Sequence, residues 1–230
     1  MRALILAGGF GTRLREVIND RPKILAPIKG KAFIDYLFYL LKKRGFTEIV
    51  LSLGYLSDFV KDYVNQRPLY NLSIIYSIEE RPLGTAGAVK KAEKYLKGDD
   101  FFVINGDTYL DINYKEILSF HKKKKAGGIM VLAQNTYSKG WGHAILGEKD
   151  KVERFKTEVN LNVKFVNSGV YIFSDDIFSI LSKNQCFSLE KDLVPILISK
   201  NKFYGFKSKK AFLDIGTKNG YQKAKELLRR

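Results

Sequence analysis

Short apolar segments alternate with helical patterns through the first 105 residues, and this alternation restricts the fold more than any other feature of the chain. The apolar segments lack the strict apolar–polar alternation of strands with one wet face, which indicates strands covered on both faces. We predict strands at residues 3–7, 48–53, 73–77 and 101–105, and helices at 33–44, 57–65 and 86–96, with Gly45 and Gly98 as helix stops. A βαβ order of this kind predicts an open, mostly parallel α/β sheet.

The second half of the chain has a different pattern. One more strand is predicted at residues 128–134, and three segments with turn signals, at 144–147, 151–156 and 164–173, predict hairpins over one edge of the sheet. Helices are predicted at 189–199 and 220–228, with Thr217 as an N-cap. Because no linker or repeat separates the halves, we predict a single domain over residues 1–230.

The formal net charge is +16, from 40 lysines and arginines against 24 acidic residues, which favours anionic partners. The basic run at residues 122–125 lacks the interleaved aromatic residues of a nucleic-acid surface, so we predict a solvated helix end. The apolar run at the N-terminus is too short for a signal peptide or a membrane span. We therefore predict phosphorylated small molecules as ligands, and neither a nucleic-acid nor a membrane partner.

The chain has a single cysteine, Cys186, which excludes an internal disulfide and favours a reducing compartment such as the cytoplasm. Because Phe187 and Leu189 stand close by, we predict that Cys186 is a buried apolar residue rather than a nucleophile. The two histidines, His121 and His143, lack metal-ligand spacing, which argues against a zinc site.

Three glycines within four positions follow the first strand, in the segment 6–14 (Leu-Ala-Gly-Gly-Phe-Gly-Thr-Arg-Leu). The dinucleotide fingerprint requires a third glycine where Leu14 stands, and no segment has the P-loop pattern. Glycines let several backbone N–H groups face one anion, and Arg13 adds a forked cation suited to a polyphosphate. Lys23, in the turn Arg21-Pro22-Lys23, is a second cation. The alternative is a simple strand exit, with Arg13 as a surface charge.

Two carboxylates follow apolar strands and stand close to glycines. Asp107 ends the segment Ile104-Asn-Gly-Asp107, and Asp214 precedes Gly216 in a similar context. Since ligands bind outside the carboxyl ends of strands in open α/β sheets, these carboxylates are suited to a shared Mg²⁺. The alternative for Asp107 is an aspartate that caps a turn.

Two further segments carry small and polar residues. The segment 81–87 lies between a strand and a helix, where small residues leave room for a flat base and Thr85 supplies a hydroxyl. The alternative is a helix N-terminus with Thr85 as its cap. The segment 167–171 (Asn-Ser-Gly-Val-Tyr) opens a strand with polar groups suited to sugar hydroxyls, and its alternative is a hairpin turn.

Taken together, these segments resemble the sugar-1-phosphate nucleotidylyltransferases over essentially the whole chain. The matching segments are 6–14, 21–23, 82–87, 105–107, 167–169 and 214–217. Leu-Gly-Thr-Ala-Gly at 83–87 is similar to the branch that uses GTP, and segments 33–37 and 187–192 and the Asp214 segment are most similar to guanylyltransferases of D-glycero-α-D-manno-heptose 1-phosphate. The resemblance implies a three-layer α/β/α sandwich with a mixed, mostly parallel, Rossmann-like sheet of the nucleotide-diphospho-sugar transferase type.

The resemblance also implies a reaction, in which a sugar 1-phosphate attacks the α-phosphorus of a nucleoside triphosphate and releases pyrophosphate, with Mg²⁺ as cofactor and GTP favoured. A nucleotide-binding half (about 1–127) and a sugar-phosphate-binding half (about 128–230) are implied. The implied catalytic residues are Arg13, Lys23 and Asp107, and the metal ligands are Asp107 and Asp214. The nucleotide-binding candidates are Leu6, Gly8, Gly9, Gly11, Thr12, Arg13, Glu79, Glu80, Gly84 and Thr85, with either Glu79 or Glu80 at the base. The sugar-phosphate candidates are Gly142, Glu158 and Asn167, of which Glu158 is offset from the family's usual Glu-Lys pair.

Other functions stay open. The chain could act on mannose 1-phosphate, use CTP or UTP, or serve as a non-catalytic sensor of nucleotide sugars. The presence of Arg13, Lys23, Asp107 and Asp214 argues against a sensor, since a binding protein can lose its metal carboxylates. RNA binding by the basic surface is a third class, but no RNA-binding module is visible. Homo-oligomerisation stays open, and the implied product, a nucleotide-activated heptose, belongs to surface-glycan biosynthesis.

Overall fold

A computed structural model describes residues 1–9, 18, 20–67, 71–135, 142–157, 163–182 and 186–228. The strands are β1 Arg2–Leu6, β2 Pro27–Ile28, β3 Lys31–Ala32, β4 Glu48–Leu53, β5 Ser73–Ile78, β6 Phe101–Asn105, β7 Thr108–Tyr109, β8 Gly128–Gln134, β9 His143–Leu146, β10 Val152–Lys156, β11 Phe165–Phe173, β12 Phe203–Ser208 and β13 Leu213–Asp214. The α-helices are α1 Phe33–Lys43, α2 Ser57–Asn65, α3 Gly84–Lys91, α4 Glu93–Leu96, α5 Tyr114–Lys124, α6 Val194–Ser199 and α7 Lys218–Leu227. Short 3-10 helices lie at Lys23–Leu25, Glu148–Asp150 and Asp175–Ser179, and a π-helical turn at Leu189–Leu193 precedes α6.

The chain forms two compact units that interleave along the sequence. The first unit contains Met1–Pro82, Ile104–Tyr109 and Leu213–Arg230, and the second contains Leu83–Val103 and Leu110–Phe212. Strand β6 contributes its last two residues to the first unit and its first three to the second.

The first unit is built on parallel strands. Strands β1, β4 and β5 are hydrogen-bonded neighbours in that order, with Leu4 opposite Val50 and Val50 opposite Ile75. Leu4, Val50 and the inner face of α1 are fully buried, as their continuous apolar segments predict. A second buried cluster joins α7 to α1 and β2, and it includes Phe33, Ile215, Tyr221 and Leu228. The first unit therefore presents the carboxyl ends of three neighbouring parallel strands along one edge.

In the second unit, the strands run in mixed directions. Strand β8 pairs with β12 in parallel and with β11 in antiparallel orientation. The β8–β11 register shifts between Asn167 and Tyr171, and Gly169 adopts a φ of 73° there. This is the geometry of a β-bulge, in which glycine accepts a left-handed backbone at no steric cost.

Most predicted elements are confirmed, and the differences have local causes. Gly45 and Gly98 follow helices with positive φ, and Thr217 caps α7 by accepting a hydrogen bond from the backbone N–H of Gly220. The predicted helix at 86–96 is divided into α3 and α4 at Ala92. Hairpin pairing is confirmed for β9 and β10, but the prediction for 164–173 is wrong, because β11 pairs with β8 instead of forming a hairpin. Cys186 is exposed, so its prediction as a buried residue is also wrong.

Candidate functional site

A cavity of about 220 Å³ lies in the first unit, where β1, β4 and β5 end. Its lining residues are Gly8, Gly54, Tyr55, Glu79, Glu80, Arg81 and Pro82. The floor is narrow, because a Cβ on Gly54 would lie 2.8 Å from the carbonyl oxygen of Gly8. A Cβ on Gly8 would lie 2.8 Å from Oε1 of Glu79. Glycine is therefore required at position 54, where its backbone meets that of Gly8, whereas a Cβ on Gly8 would meet the end of the Glu79 side chain.

Glu79 and Glu80, the two alternatives for the contact with the base, both line this cavity, but their side chains are held differently. Ser52 Oγ donates a hydrogen bond to Oε1 of Glu79 at 2.9 Å, and the backbone N–H of Glu79 donates to the carbonyl of Leu53 at 2.7 Å. Glu80 is exposed. Glu79 is therefore the more firmly oriented carboxylate, which is the property that a recognition group needs.

A second group of charged side chains in the first unit converges on Gly216. Lys23 Nζ lies 2.5 Å from Oδ2 of Asp107, and both side chains are mostly buried. A Cβ on Gly216 would lie 2.7 Å from Asp107 Oδ2, 2.8 Å from Asp214 Oδ1 and 3.1 Å from Lys23 Nζ. Glycine is thus the one residue that leaves this space open, and the structure brings together three of the predicted catalytic and metal-binding residues.

Local backbone contacts explain why these three side chains meet. Strands β7 and β13 pair so that Asp214 stands opposite Thr108, the residue after Asp107. The backbone N–H of Ile215 donates to the carbonyl of Asp107 at 2.9 Å, and the N–H of Gly216 donates to Oδ1 of Asp214 at 2.7 Å. These contacts fix both carboxylates on short, rigid segments.

The chemistry of this group suits a hard divalent cation. Two carboxylates on adjacent segments supply oxygen ligands, and a Mg²⁺ site usually has one or two carboxylates, with water and substrate phosphate as the other ligands. Among the residues that the structure describes, no group of three or more His, Cys, Asp or Glu residues could hold a metal by itself. The donor set therefore fits a metal that shares its coordination with a phosphorylated substrate.

In the second unit, the predicted base-framing residues Gly84 and Thr85 pack against another part of the backbone. Gly84 has a φ of 72°, and a Cβ there would lie 2.6 Å from the carbonyl oxygen of Phe187. That carbonyl accepts hydrogen bonds from the N–H groups of Ala86 and Gly87, so it satisfies these donors at the start of α3. The alternative of Thr85 as a cap for its own helix is wrong, because Leu83 is the N-cap and Thr85 Oγ1 accepts from the N–H of Leu189 at 2.8 Å.

A buried polar network in the second unit surrounds Asn167. Its Nδ2 donates to the hydroxyl of Tyr171 at 2.6 Å and to Oε1 of Glu190 at 2.9 Å, and the Tyr171 hydroxyl donates to the same Glu190 oxygen at 2.9 Å. The N–H of Asn167 donates to the carbonyl of Gly142 at 2.7 Å, so the two described sugar-phosphate candidates are neighbours. Burial, and next the negative charge of Glu190, raise the pKa of Tyr171 well above its ordinary value.

Tyr171 and Glu190 were not among the predicted site residues. Both stand in segments that resemble the family, 167–171 and 187–192, where their polar side chains were the available signal. The sequence does not show the hydrogen bonds that join Asn167 and Tyr171 in β11 to Glu190 in the π-helical turn. The alternative of a hairpin turn at 167–171 is wrong, since these residues form the bulge inside β11.

Replacing Tyr171 by phenylalanine tests whether the hydrogen bonds among Asn167, Tyr171 and Glu190 stabilise the fold. The change leaves an amide proton of Asn167 buried without its acceptor, so we expect a loss of about 1–3 kcal/mol in the free energy of unfolding. Urea denaturation measures the change. Tyr39→Phe is the matched control because Tyr39 is 56% exposed, and an exposed substitution should change the free energy of unfolding by less than about 0.5 kcal/mol. Equal stability of both variants would contradict the network.

The remaining site predictions divide into two sets. Leu6 is half-buried at the end of β1, and Gly9 is exposed with open space around it. Gly11, Thr12, Arg13 and Glu158 lie outside the described residues. Their roles stay predictions.

Within the described part of the chain, no helix combines the length and the apolar character needed to cross a membrane.

The strand-end cavity and the Lys23–Asp107–Asp214 group are features of an enzyme that binds phosphorylated ligands, and comparison with known proteins agrees. The chain belongs to the nucleotidyl transferase family, whose model matches residues 2–230. It is 36% identical over 228 residues to D-glycero-alpha-D-manno-heptose 1-phosphate guanylyltransferase of Aneurinibacillus thermoaerophilus, which covers 99% of this chain and 98% of that one.

Two further comparisons show the fold and a more distant relative. The crystal structure of HddC from Yersinia pseudotuberculosis complexed with GMP-PN matches with a TM-score of 0.86 at 34% identity, over 98% of each chain. Mannose-1-phosphate guanyltransferase of Candida albicans is 34% identical over 223 residues, which cover 94% of this chain and 61% of that protein. The predicted fold class is confirmed.

Proposed function

We propose that this protein transfers GMP from GTP to D-glycero-α-D-manno-heptose 1-phosphate and forms GDP-heptose and pyrophosphate. The observation that carries the proposal is the convergence of Lys23, Asp107 and Asp214 on Gly216, in a family member of near-equal length to its heptose-specific relative. We place the reaction in the cytoplasm and its product in surface-glycan biosynthesis. The single cysteine, which stands exposed, supports a reducing compartment.

The reaction needs positioning and charge neutralisation rather than a general base. A phosphate oxygen of the sugar 1-phosphate is already anionic when it attacks the α-phosphorus, and the bond to the bridging oxygen breaks as pyrophosphate leaves in line. Lys23 binds the α-phosphate and the attacking phosphate, and it neutralises charge that develops in the transition state. Arg13 and the backbone amides of residues 8–12 bind the β- and γ-phosphates.

Asp107 and Asp214 would hold Mg²⁺ together with phosphate oxygens. When bound, the metal supplies Lewis-acid stabilisation of the leaving pyrophosphate. The chain's own part is to keep Asp107, directly before β7, next to Asp214 in β13, and to hold Lys23 beside Asp107. Asn167 and Gly142 contribute to the binding of the sugar phosphate, with Glu158 as a further candidate.

Glu79 is our proposed recognition group for the guanine base. Its carboxylate, held by Ser52, can accept hydrogen bonds from the two neighbouring donors of guanine, N1–H and the 2-amino group. Leu6 ends β1 and Gly8 lines the cavity, and we assign both to the base and ribose. The resemblance implies the same role for Gly84 and Thr85.

Replacing Glu79 by glutamine should raise KM for GTP about 10–100-fold, because one acceptor becomes an amide donor that faces a donor of the base. Steady-state kinetics with GTP and with UTP measure the change, and the GTP preference should fall. Glu80→Gln is the comparison, with an expected effect within about threefold, since Glu80 is exposed. A larger loss of GTP preference in the Glu80 variant would assign the base contact to Glu80 instead.

A pyrophosphate-release assay across nucleotides and sugar phosphates tests the proposed function. GTP, ATP, CTP and UTP are each paired with heptose 1-phosphate, mannose 1-phosphate and glucose 1-phosphate. The proposal expects the highest kcat/KM for GTP with heptose 1-phosphate. A maximum with mannose 1-phosphate would identify a mannose-1-phosphate guanylyltransferase, and nucleotide-sugar binding without turnover would identify a sensor.

A further inference from the structure

Tyr55 is exposed beside the strand-end cavity, and no step of the proposed reaction uses it. It follows β4 and lines the cavity together with Gly8, Gly54 and residues 79–82. Its side chain is 51% exposed. A half-exposed tyrosine at the rim of a cavity offers a flat apolar face to a ligand.

The backbone holds Tyr55 at the tip of a tight turn. The N–H of Ser57 donates to the carbonyl of Gly54 at 3.1 Å, which closes the turn between β4 and α2. Leu56 adopts a φ of 57° and a ψ of 36°, the left-handed conformation that residues with a Cβ seldom take. The turn therefore fixes where the aromatic side chain emerges.

The residues that line the cavity can make different contacts with a base. Gly8 and Gly54 contribute bare backbone, and Glu79 presents a firmly held carboxylate to the edge of a ligand. Among the described residues that line the cavity, Tyr55 is the aromatic one. An aromatic side chain covers the flat face of a base at low entropic cost, because it has only two side-chain torsions to fix.

We propose that Tyr55 stacks on the guanine base of GTP and favours purine over pyrimidine nucleotides. This inference rests on the proposed function for the identity of the nucleotide. Stacking grows with the area of the two rings, so a purine gains more than a pyrimidine. The phenol hydroxyl has no part in the contact, and phenylalanine should replace tyrosine.

The test compares three variants by equilibrium binding without the sugar phosphate. Tyr55→Leu should weaken GTP binding about 10–100-fold, as the loss of a base-stacking aromatic does, and UTP binding about threefold. Tyr55→Phe should bind GTP within about threefold of the unchanged protein. Tyr39→Leu is the matched control, because Tyr39 is 56% exposed on α1 and does not line the cavity.

Binding of inorganic tripolyphosphate, which has no base, distinguishes a loss of stacking from a distortion of the turn. Its binding should be the same in Tyr55→Leu as in the unchanged protein. Unaltered GTP binding in Tyr55→Leu, or an equal loss for GTP, UTP and tripolyphosphate, would overturn the stacking role. A failure of the proposed function is seen separately, as absence of pyrophosphate release by the unchanged protein with GTP and heptose 1-phosphate.

Discussion

Replacing Lys23 by alanine should lower kcat by about two to four orders of magnitude, the usual cost of removing a preorganised charge from a transition state. Lys23 Nζ lies 2.5 Å from Asp107 Oδ2, and a Cβ on Gly216 would lie close to both groups and to Asp214. Its ammonium is thus held at the convergence point of the proposed metal ligands before substrate arrives. Single-turnover measurement of pyrophosphate release isolates the chemical step.

Lys31→Ala is the matched control for this experiment. Lys31 is exposed on β3, in the same unit, and its removal should leave kcat within about twofold. Circular dichroism and urea denaturation of both variants show whether Lys23→Ala still folds, since the change removes the partner of a mostly buried carboxylate. A folded Lys23→Ala variant with near-normal kcat would contradict the role that we assign to Lys23.

Replacing Asp107 by asparagine should abolish Mg²⁺-dependent turnover, with a loss of about two to four orders of magnitude in kcat, because several kcal/mol of charge stabilisation depend on the metal. The substitution keeps the shape of the side chain and removes its charge. Turnover measured against Mg²⁺ concentration should lose its saturable rise. Mn²⁺ binding by electron paramagnetic resonance, in the presence of GTP, should weaken in parallel.

Asp111→Asn serves as the control, since Asp111 is an exposed carboxylate four residues further along the chain. Its Mg²⁺ dependence and its Mn²⁺ binding should match those of the unchanged protein. Full turnover of Asp107→Asn at ordinary Mg²⁺ concentration would remove Asp107 from the metal site. Lost turnover with intact Mn²⁺ binding would leave its ion pair with Lys23 as the cause.

The parallel part of the fold is predictable because its signals are local. The bounds of β4, β6, β8 and α2 agree with the sequence predictions, since each is an apolar or amphipathic segment between clear stops. Strand β11 shows the limit of this reasoning. Its polar segment Asn167-Ser-Gly169 has the composition of a turn, but pairing with a strand more than 30 residues earlier makes it a bulge inside the sheet.

The residue types of the site could be predicted from the sequence, but the contacts between them could not. The order of glycines, cations and carboxylates indicates a nucleotidyl transferase, but Lys23 and Asp107 are 84 positions apart, and their ion pair follows from folding alone. The space at Gly216 and the hydrogen bonds from Asn167 to Glu190 likewise depend on segments distant in sequence. Cys186 was misjudged for a related reason, because apolar neighbours in sequence do not establish burial.

Incubation of the protein with α-³²P-labelled GTP, Mg²⁺ and D-glycero-α-D-manno-heptose 1-phosphate tests the central claim most directly. We expect the label to move into a nucleotide sugar with the mass of GDP-heptose, and one unlabelled pyrophosphate to be released for each molecule formed. Label that stays in GTP, or appears only as GMP or GDP, would contradict it.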